Sequence, residues 1–361
     1  RPATLVELSL SLVSRHTQST HMVLLPTRGH GPLTLAPNVE VERLGFGTWA
    51  WGNKLLWGYD EAADPVLEAA FRRAVAGAPL VDRRRFFFDT GDSYGTGARE
   101  GRAESLLGRF RREARARRRV AIGTKLAVYP WRLRGEDFED ACRASLRRMG
   151  ESRMELVQAH WSAANFQPWQ EPALWDGLAR CYEAGLAGAV GTSNFGPKQL
   201  RKANAHWASR GVPHSANQVQ LSLLSTLPLE SGLLEASSEL GVTPIGYSPL
   251  ALGLLSGKYD ADSVPAGPRG VLFRQLAPGL APLLDTLREV SRARGKSVSQ
   301  VAINWVMCQG AVVIVGIRTP EQAADNLGAL GWRLSKAEQD ALTEEARRVP
   351  KKATQNIFQT A

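Results

Sequence analysis

Four side chains that can hold or move a proton stand at or just after the ends of short hydrophobic segments. Asp89 ends the segment FFFD, Lys125 ends VAIGTK and His160 ends ELVQAH. Tyr94 follows Asp89 by five residues in the loop DTGDSYG, close enough for the chain to fold back. If these segments are neighbouring parallel strands, an acid, an ammonium, an imidazole and a phenol meet at one opening.

Together these four groups can deliver a proton to a substrate oxygen. A tyrosine phenol ionises near pH ~10 in peptides, so it donates poorly at neutral pH unless a nearby cation favours its phenolate. Lys125 supplies such a cation, and Asp89 would pair with Lys125 and keep it protonated. His160 would hydrogen-bond the substrate oxygen and orient the carbonyl. The set therefore indicates a proton donor with Tyr94 as general acid.

Each of these residues also has an ordinary structural interpretation. An Asp at the end of a strand is often a turn former or helix N-cap, and a Lys there is often a solvated charge at the rim. A single His is more often a satisfied core residue than a catalyst. Their joint occurrence on three successive predicted strands favours the catalytic interpretation.

From about residue 41 onward the chain alternates between strand and helix patterns. Strands are predicted at 43–48, 85–90, 120–125, 155–160, 187–192, 215–219, 242–247 and 311–316. Helices are predicted between them at 64–77, 100–114, 136–149, 172–184, 197–208, 229–240 and 298–309. Eight strand–helix units without a break in composition predict an α/β fold, a single (β/α)8 TIM-type barrel.

The main structural rival is an open doubly wound sheet. Such a sheet would normally carry a G-x-G-x-x-G turn after its first strand if it bound a dinucleotide, and the sequence contains no such turn. A long segment rich in Gly and Pro, at 248–280, follows the seventh strand. Because strand-to-helix loops lie on the catalytic face of a barrel, this long loop is predicted to be functional.

The segment FDTGDSYG at 88–95 resembles the second-strand signature F-D-T-[AG]-x-x-Y-G of the aldo-keto reductases. The family's lysine falls on Lys125 in IGTK and its histidine on His160 in QAHW, and the order and spacing continue over residues 41 to about 330. The resemblance implies a barrel that reduces an aldehyde or ketone with NADPH. Its catalytic tetrad would be Asp89, Tyr94, Lys125 and His160.

The same resemblance implies where NADPH binds. Ser193, Asn194 and Gln218 would hold the nicotinamide amide, and Tyr247 would stack on its ring. The segment 248–258 resembles a pyrophosphate strap, and GIRTPEQAADN at 316–326 resembles the segment that holds the adenosine phosphate at a helix N-terminus. The implied cofactor residues are Gly47, Thr48, Trp49, Ser193, Asn194, Gln218, Tyr247, Ser248, Pro249, Leu250, Gly253, Lys258, Gly316, Arg318, Thr319, Gln322, Asp325 and Asn326. Without the resemblance, these segments are a polar turn, a core aromatic and a flexible Gly linker.

Arg318 favours NADPH over NADH. A guanidinium forms paired hydrogen bonds with a 2'-phosphate, whereas NADH presents only a hydroxyl at that position. Two departures from the family pattern oppose this preference: Gly316 replaces a frequent lysine, and Gln322 stands where many members have arginine. They predict a lower affinity for the phosphate than in the strongest NADPH binders.

The substrate-facing residues are predicted to be the indoles of Trp49, Trp51, Trp131 and Trp161, which follow the first, third and fourth strands. Aromatic walls suit flat or apolar aldehydes. The alternative for each indole is packing beneath a loop. The overall pattern looks closest to plant and bacterial members of the family that act on pyridoxal-like and general carbonyl substrates.

Composition excludes several other classes. The chain has 361 residues, of which 43% are hydrophobic and 22% charged, and it contains no run of about 18 apolar residues such as a spanning helix needs. Its three cysteines, Cys142, Cys181 and Cys308, form no C-x-x-C pair, which favours a reducing compartment. No metal is expected, because no H-x-H pair ends the first strand.

The termini are predicted to lie outside the barrel. Residues 1–38 contain one acid, Glu7, within the first thirty-odd positions, among many Ser, Thr and Arg, which is typical of a transit peptide for the chloroplast or another organelle. The alternatives are a disordered terminus that carries no targeting signal and a cytoplasmic location for the protein. The barrel is expected at 39–349 and a tail at 350–361.

The net charge of +10 is concentrated in arginine-rich segments that precede strands two to four. They predict a basic face opposite the active site, around Arg83, Arg117 and Arg148, that could dock an acidic partner or an anionic surface. The alternative is a solvated face, and no specific nucleic acid is expected.

For the protein as a whole, the alternative to an enzyme is a barrel that binds NADPH as a non-catalytic subunit or redox sensor.

Overall fold

The protein alternates strands and helices along almost its whole described length. The computed structural model describes residues 30–77, 84–97, 100–259, 263–265, 267–353 and 358–360. The strands are β1 (Leu33–Ala36), β2 (Val39–Val41), β3 (Leu44–Gly47), β4 (Phe86–Asp89), β5 (Val120–Leu126), β6 (Met154–Ala159), β7 (Ala187–Ser193), β8 (His214–Gln220), β9 (Thr243–Tyr247) and β10 (Val312–Gly316). The helices are α1 (Lys54–Trp57), α2 (Asp64–Ala76), α3 (Arg102–Glu113), α4 (Gly135–Met149), α5 (Glu171–Glu183), α6 (Pro197–Ala208), α7 (Leu227–Glu230), α8 (Leu233–Leu240), α9 (Pro268–Leu276), α10 (Ala281–Arg294), α11 (Val298–Cys308), α12 (Pro320–Leu327) and α13 (Lys336–Arg348).

Strands β3 to β10 form a closed parallel barrel in chain order, with β10 pairing back onto β3. Each of the eight strands predicted from the sequence overlaps one of these barrel strands. Because all eight strands are parallel, their carboxyl ends open on one face of the barrel. The predicted (β/α)8 barrel is therefore confirmed.

The barrel interior is filled by side chains that alternate along the strands. On β4, Phe86 and Phe88 pack toward the helices, and Phe87 points into the barrel interior. Gly45 and Gly123 on the neighbouring strands make room for Phe87: a Cβ at Gly123 would lie 2.7 Å from the Phe87 ring. Asp89, two residues beyond Phe87, therefore also points inward, at the catalytic end.

A β-hairpin of β1 and β2 closes the opposite end of the barrel. Leu35 and Ala36 are buried against the same interior residues as Phe87, and Thr243 Oγ1 donates a hydrogen bond of 2.8 Å to the Thr34 carbonyl. Residues 33–36, which the sequence analysis assigned to the leader, are therefore part of the fold, with Leu35 and Ala36 buried. Residues 1–29 lie outside the described part of the chain.

Several helices differ from their predicted form. The segment 229–240 is divided into α7 and α8, because Gly232 adopts a left-handed conformation with φ 73° between them. The long loop 248–280 contains a helix, α9. The helices α10, α12 and α13 were not predicted as separate elements.

No helix in the described residues is long and apolar enough to span a membrane.

Candidate active site

The carboxylate of Asp89 and the ammonium of Lys125 form a buried ion pair at the catalytic end of the barrel. Lys125 Nζ lies 2.6 Å from both Asp89 oxygens and donates a third hydrogen bond of 2.8 Å to the Thr90 carbonyl. The two side chains are 1% and 2% exposed. Burial raises the pKa of Asp89 and lowers that of Lys125, while their mutual attraction opposes both shifts.

Two glutamines complete the surroundings of Asp89. Gln218 Nε2 donates a hydrogen bond of 2.7 Å to Asp89 Oδ1. Gln158 is fully buried beside Lys125 in the strand register, and its amide faces Asp89 and lowers the pKa of that carboxyl. Gln218 was expected to hold the nicotinamide, and here it also holds Asp89. The sequence analysis missed Gln158, although the period-two pattern that points His160 inward also points Gln158 inward.

Tyr94 lies directly beside Lys125. The Lys125 ammonium is 4.9 Å from the centre of the Tyr94 ring, and the His160 ring centre is 5.6 Å from it. Burial and the negative charge of Asp89 raise the pKa of Tyr94 well above its ordinary value. Lys125, which was predicted to lower this pKa, is paired at close range with Asp89, and burial and the carboxylate dominate the shift.

His160 is a neutral imidazole in this site. Burial and the positive charge of Lys125 hold its pKa well below the ordinary value. Its Nδ1 lies 3.4 Å from the Ser93 hydroxyl, and its carbonyl accepts a hydrogen bond of 3.2 Å from the Asn194 amide. A neutral imidazole can donate one N–H to a substrate oxygen and cannot act as a cation there. All four predicted catalytic residues are thus gathered at one opening.

The predicted nicotinamide residues also converge. Asn194 adopts a left-handed φ of 63°, which non-glycine residues rarely do. Its side chain forms hydrogen bonds with two other predicted nicotinamide residues. Its Nδ2 donates to Ser193 Oγ at 3.2 Å, and its Oδ1 accepts the Tyr247 hydroxyl at 2.9 Å. Gln218 lies on the next strand, where it pairs with Ser193 in the register. These amides and hydroxyls, beside the half-buried ring of Tyr247, fit a nicotinamide carboxamide and ring.

The predicted pyrophosphate strap has an unusual backbone. Ser248, Ala251 and Leu252 all have positive φ, at 54°, 46° and 59°. Such strain concentrates at ligand-binding loops, because a fixed backbone must present its N–H groups. A Cβ at Gly253 would meet only the Tyr259 ring at 3.7 Å, so the strap leaves open space for a ligand at this point. Lys258 is exposed beside it.

Arg318 is joined by a second cation that sequence reasoning missed. The guanidinium carbons of Arg318 and Arg269 lie 5.0 Å and 4.7 Å from the ring centre of Trp57. Arg269 comes from α9, in the long loop after β9. Partial burial and the positive charge of Arg269 lower the pKa of Arg318. Two like charges held together in this way fit the phosphate of NADPH.

The remaining predicted adenosine-phosphate residues lie along α12 and just before it. Thr319 is its N-cap and accepts the Gln322 N–H, while Gln322 Oε1 accepts the Arg318 N–H at 2.8 Å. Gln322 therefore stabilises the loop in place of the arginine expected from the family. Asp325 accepts a hydrogen bond from Gln300, and Asn326 is buried. Among the other predicted cofactor residues, Gly47 and Gly316 leave open space around them, and Thr48 is buried.

The four predicted substrate indoles occupy different environments. Trp161 lines a cavity of about 260 Å³ next to His160. Trp131 is 69% exposed and stacks on Tyr129 at the rim, and Trp49 is partly exposed against Trp57 on the Arg318 side. Trp51 is wrong as a substrate residue: it is fully buried, and its Nε1 donates to the Ile317 carbonyl at 2.9 Å.

The cavity has uncharged walls. The lining residues are Val128, Pro130, Trp161, Ala163, Phe166, Gln167, Gln170 and Phe358. Phe358 belongs to the predicted C-terminal tail and packs against Trp161, with ring centres 4.9 Å apart and the ring planes tilted by 34°. Thr360 continues this contact by donating its N–H to the Asn194 carbonyl at 3.1 Å. No strand or helix pattern in the tail signals this contribution, so the sequence analysis missed it.

A parallel barrel with a tyrosine, a neutral histidine and a buried Lys–Asp pair at its carboxyl end defines the class of nicotinamide-dependent carbonyl reductases. The sequence profile described as the aldo/keto reductase family matches residues 43–346. The chain belongs to this family and is an oxidoreductase. Aldo-keto reductases use NADPH, so the predicted enzyme class and cofactor are confirmed.

Individual relatives support the same assignment. The chain is 48% identical to the chloroplastic pyridoxal reductase of Arabidopsis thaliana, over 91% of this chain and 88% of that protein. It is 34% identical to an uncharacterized oxidoreductase of Mycobacterium bovis, over 85% and 90%. The solved structure of a glycerol dehydrogenase from Gluconobacter oxydans matches with a TM-score of 0.72 at 24% identity, covering 89% and 96% of the two chains. This last likeness concerns the fold.

Proposed function

We propose that this protein reduces a flat, uncharged aldehyde to an alcohol with NADPH, and that pyridoxal is its best substrate. The observation that carries the proposal is Tyr94, whose ring stands beside the Asp89–Lys125 pair and a neutral His160. Bound NADPH supplies a hydride to the carbonyl carbon. The relative that is named a reductase supports catalysis over a subunit or sensor role.

The chain's own residues manage the proton and the developing charge. The His160 N–H donates to the carbonyl oxygen and orients it toward Tyr94. Tyr94, kept protonated by its raised pKa, donates its hydroxyl proton to that oxygen as negative charge develops there. Lys125, fixed by Asp89, stabilises the phenolate that this transfer leaves behind. Gln218 supports the ion pair by its hydrogen bond to Asp89.

Arg318 and Arg269 are proposed to hold the 2'-phosphate of NADPH. Two guanidiniums beside one indole offer a phosphate more donors than one arginine does, which offsets the lysine and arginine absent at Gly316 and Gln322. Thr319, at the start of α12, adds a hydroxyl and the partial positive charge of a helix N-terminus.

The cavity walls support the substrate class. Trp161, Phe166 and Phe358 offer flat faces to an aromatic ring, and no charged residue lines the described cavity. A phosphorylated aldehyde would have to desolvate its charge against these walls without a cation. Pyridoxal is therefore favoured over pyridoxal 5'-phosphate.

A panel of carbonyl compounds tests this function. NADPH oxidation is followed with pyridoxal, 4-nitrobenzaldehyde, pyridoxal 5'-phosphate and a ketone, and NADH is compared as donor. The expected order of kcat/KM places the two uncharged aromatic aldehydes well above the phosphate ester. Tight NADPH binding without turnover of any compound contradicts the proposal and supports the subunit or sensor alternative.

A plastid location is also proposed. It is supported by the leader composition of residues 1–38 and by the chloroplastic relative. The test is a fusion of residues 1–38 to a fluorescent protein in plant cells, with the fluorescent protein alone as the control. Cytosolic fluorescence of the leader fusion contradicts the proposal.

The basic face is proposed to dock an acidic protein, on a smaller set of residues than the sequence suggests. Arg117 pairs with Glu151 at 3.2 Å and Arg148 with Glu104 at 2.6 Å, while Arg83 lies outside the described residues. Within the arginine-rich segments, the arginines that are exposed and make no ion pair with any described residue are Arg112, Arg115, Arg118, Arg119, Arg147 and Arg153. Changing Arg115, Arg118 and Arg119 to Ser should lower the salt concentration needed for elution from heparin, and unchanged elution contradicts the idea.

A further inference from the structure

We propose that the Asp92–Arg132 ion pair positions one wall of the substrate cavity relative to Tyr94, so that these two residues determine substrate specificity. The inference rests on the proposed reductase function of this site. Neither residue contacts the carbonyl in the mechanism above. They act through the segment 127–132, called here the wall loop, which follows β5.

Asp92 ties the catalytic segment to the start of the wall loop. Its Oδ1 accepts the Ala127 N–H at 2.9 Å, and its Oδ2 accepts Arg132 Nη1 at 2.7 Å. Its own N–H donates to the Lys125 carbonyl at 2.9 Å. The Asp92 side chain is 3% exposed, so water does not compete strongly for these bonds. Asp92 lies three residues after Asp89 and two before Tyr94.

Arg132 closes the wall loop on itself. The same Nη1 that binds Asp92 also donates to the Ala127 carbonyl at 2.6 Å, and the Arg132 N–H donates to the Tyr129 carbonyl at 3.0 Å. The guanidinium carbon lies 5.0 Å from the Tyr129 ring centre. The guanidinium of Arg132 is thus paired and hydrogen-bonded within the loop, and it does not line the cavity.

The wall loop forms part of the cavity. Val128 and Pro130 line it, and Gln170 holds the loop from the other side. Gln170 Nε2 donates to the Tyr129 and Arg132 carbonyls at 2.8 Å and 2.7 Å. Because Asp92 and Gln170 both bond to the wall loop, the loop cannot move without breaking hydrogen bonds that are wholly or partly buried. The width of the cavity therefore depends on Asp92 and Arg132.

A merely structural ion pair makes a different prediction. If the pair served only stability, its loss would lower the fraction of folded enzyme and reduce turnover of every substrate equally. If the pair holds the wall loop in position, its loss lowers kcat/KM for bulky substrates and leaves kcat/KM for small substrates nearly unchanged, because only bulky substrates reach the wall loop. The ratio between substrates of different size separates these two roles.

The experiment compares Asp92→Asn and Arg132→Lys with Arg143→Gln in the holoenzyme. Arg143 pairs with Glu139 on the surface of α4, away from the cavity, and serves as the matched control. For 4-nitrobenzaldehyde we expect kcat/KM to fall about 10-fold in both test variants, mainly through KM, with less than about 2-fold change for propanal. The Kd for NADPH should not change, and Arg143→Gln should match the unmodified enzyme.

Hydrogen exchange gives a second readout that does not depend on activity. The Ala127 amide, which donates to Asp92, should exchange faster in Asp92→Asn and as in the parent protein in Arg143→Gln. An equal loss for both aldehydes, or an unchanged KM for the aromatic one, overturns the inference. Absence of turnover in the unmodified enzyme counts against the proposed function instead, and unchanged Ala127 exchange in Asp92→Asn then still counts against the inference.

Discussion

The ammonium of Lys125 lies 2.6 Å from both carboxylate oxygens of Asp89, with both side chains almost fully buried. Neither charge has another ionic partner at such a distance among the described residues. Each therefore depends on the other, since an unpaired charge in this environment would lose its hydration without compensation. The pair is a structural element of the barrel and, in the proposed mechanism, the electrostatic support of Tyr94.

Replacing Lys125 by Met should remove activity and stability together. The unpaired Asp89 carboxylate should lower the free energy of unfolding by about 3–5 kcal/mol, and kcat should fall about 10²- to 10⁴-fold. The double variant Asp89→Asn with Lys125→Met should recover part of the stability but none of the activity. Urea unfolding and NADPH oxidation measure the two effects. Equal stabilities of the single and double variants contradict this account.

Replacing Arg269 or Arg318 by Gln should weaken NADPH binding selectively. Each change removes a charged donor to the 2'-phosphate, so the Kd for NADPH should rise about 10-fold or more and the Kd for NADH should stay nearly constant. Arg274→Gln, on the exposed side of α9, is the matched control. Fluorescence titration with both nucleotides measures the change. An equal loss of NADH affinity would mean that these arginines stabilise the conformation of the cofactor-binding loops and do not bind the 2'-phosphate.

Replacing Phe358 by Ala should enlarge the substrate cavity. Loss of the ring that packs against Trp161 should raise KM for pyridoxal about 3- to 10-fold, because an aromatic contact contributes about 0.5–1.5 kcal/mol. The control is Trp169→Ala, since Trp169 is 71% exposed and lies outside the cavity lining. Steady-state kinetics on pyridoxal measure both. If the two variants behave alike, Phe358 is not part of the substrate site.

Stability should fall as the solution is acidified, because buried histidines resist protonation. Burial lowers the pKa of His214 to about 3 and holds that of His160 well below its ordinary value. Below pH ~6.5 the unfolded chain binds protons at these positions that the folded chain does not bind. The free energy of unfolding is therefore highest above pH ~6.5 and falls with decreasing pH, by about 1.4 kcal/mol per pH unit for each histidine.

His214→Gln isolates one of these contributions. His214 packs edge-on against Trp207 and reaches the Thr192 hydroxyl at 3.3 Å, so Gln can keep the polar contact. Urea unfolding between pH 7.5 and pH 5 should then show a shallower loss of stability than in the unmodified protein. Identical slopes for the two proteins would show that His214 titrates normally in the folded state.

The barrel was predictable because its signals are local and repeated. Each strand is a short apolar run and each following helix has a 3.6-residue pattern, so eight units predict closure. The tetrad could be placed because a parallel barrel brings strand ends together whatever the details of packing. Gly232 was missed as a break, since its left-handed φ becomes visible only when α7 and α8 pack.

The parts that could not be predicted depend on long-range contacts. Arg269 reaches Trp57 across more than 200 positions of sequence, and Phe358 reaches Trp161 across almost as many. Trp51 was misplaced because an indole after a strand can face either the opening of the barrel or the surrounding helices. Its hydrogen bond to the Ile317 carbonyl holds it on the helix side. The β1–β2 hairpin was missed because its short strands follow a leader-like composition.

The central claim is that the Tyr94 hydroxyl delivers the proton to the carbonyl oxygen. Replacing Tyr94 by Phe removes only that hydroxyl and leaves the ring beside Lys125. Single-turnover oxidation of bound NADPH by pyridoxal should slow about 10³-fold or more in Tyr94→Phe, with an unchanged Kd for NADPH. A rate close to that of the unmodified enzyme would contradict the account.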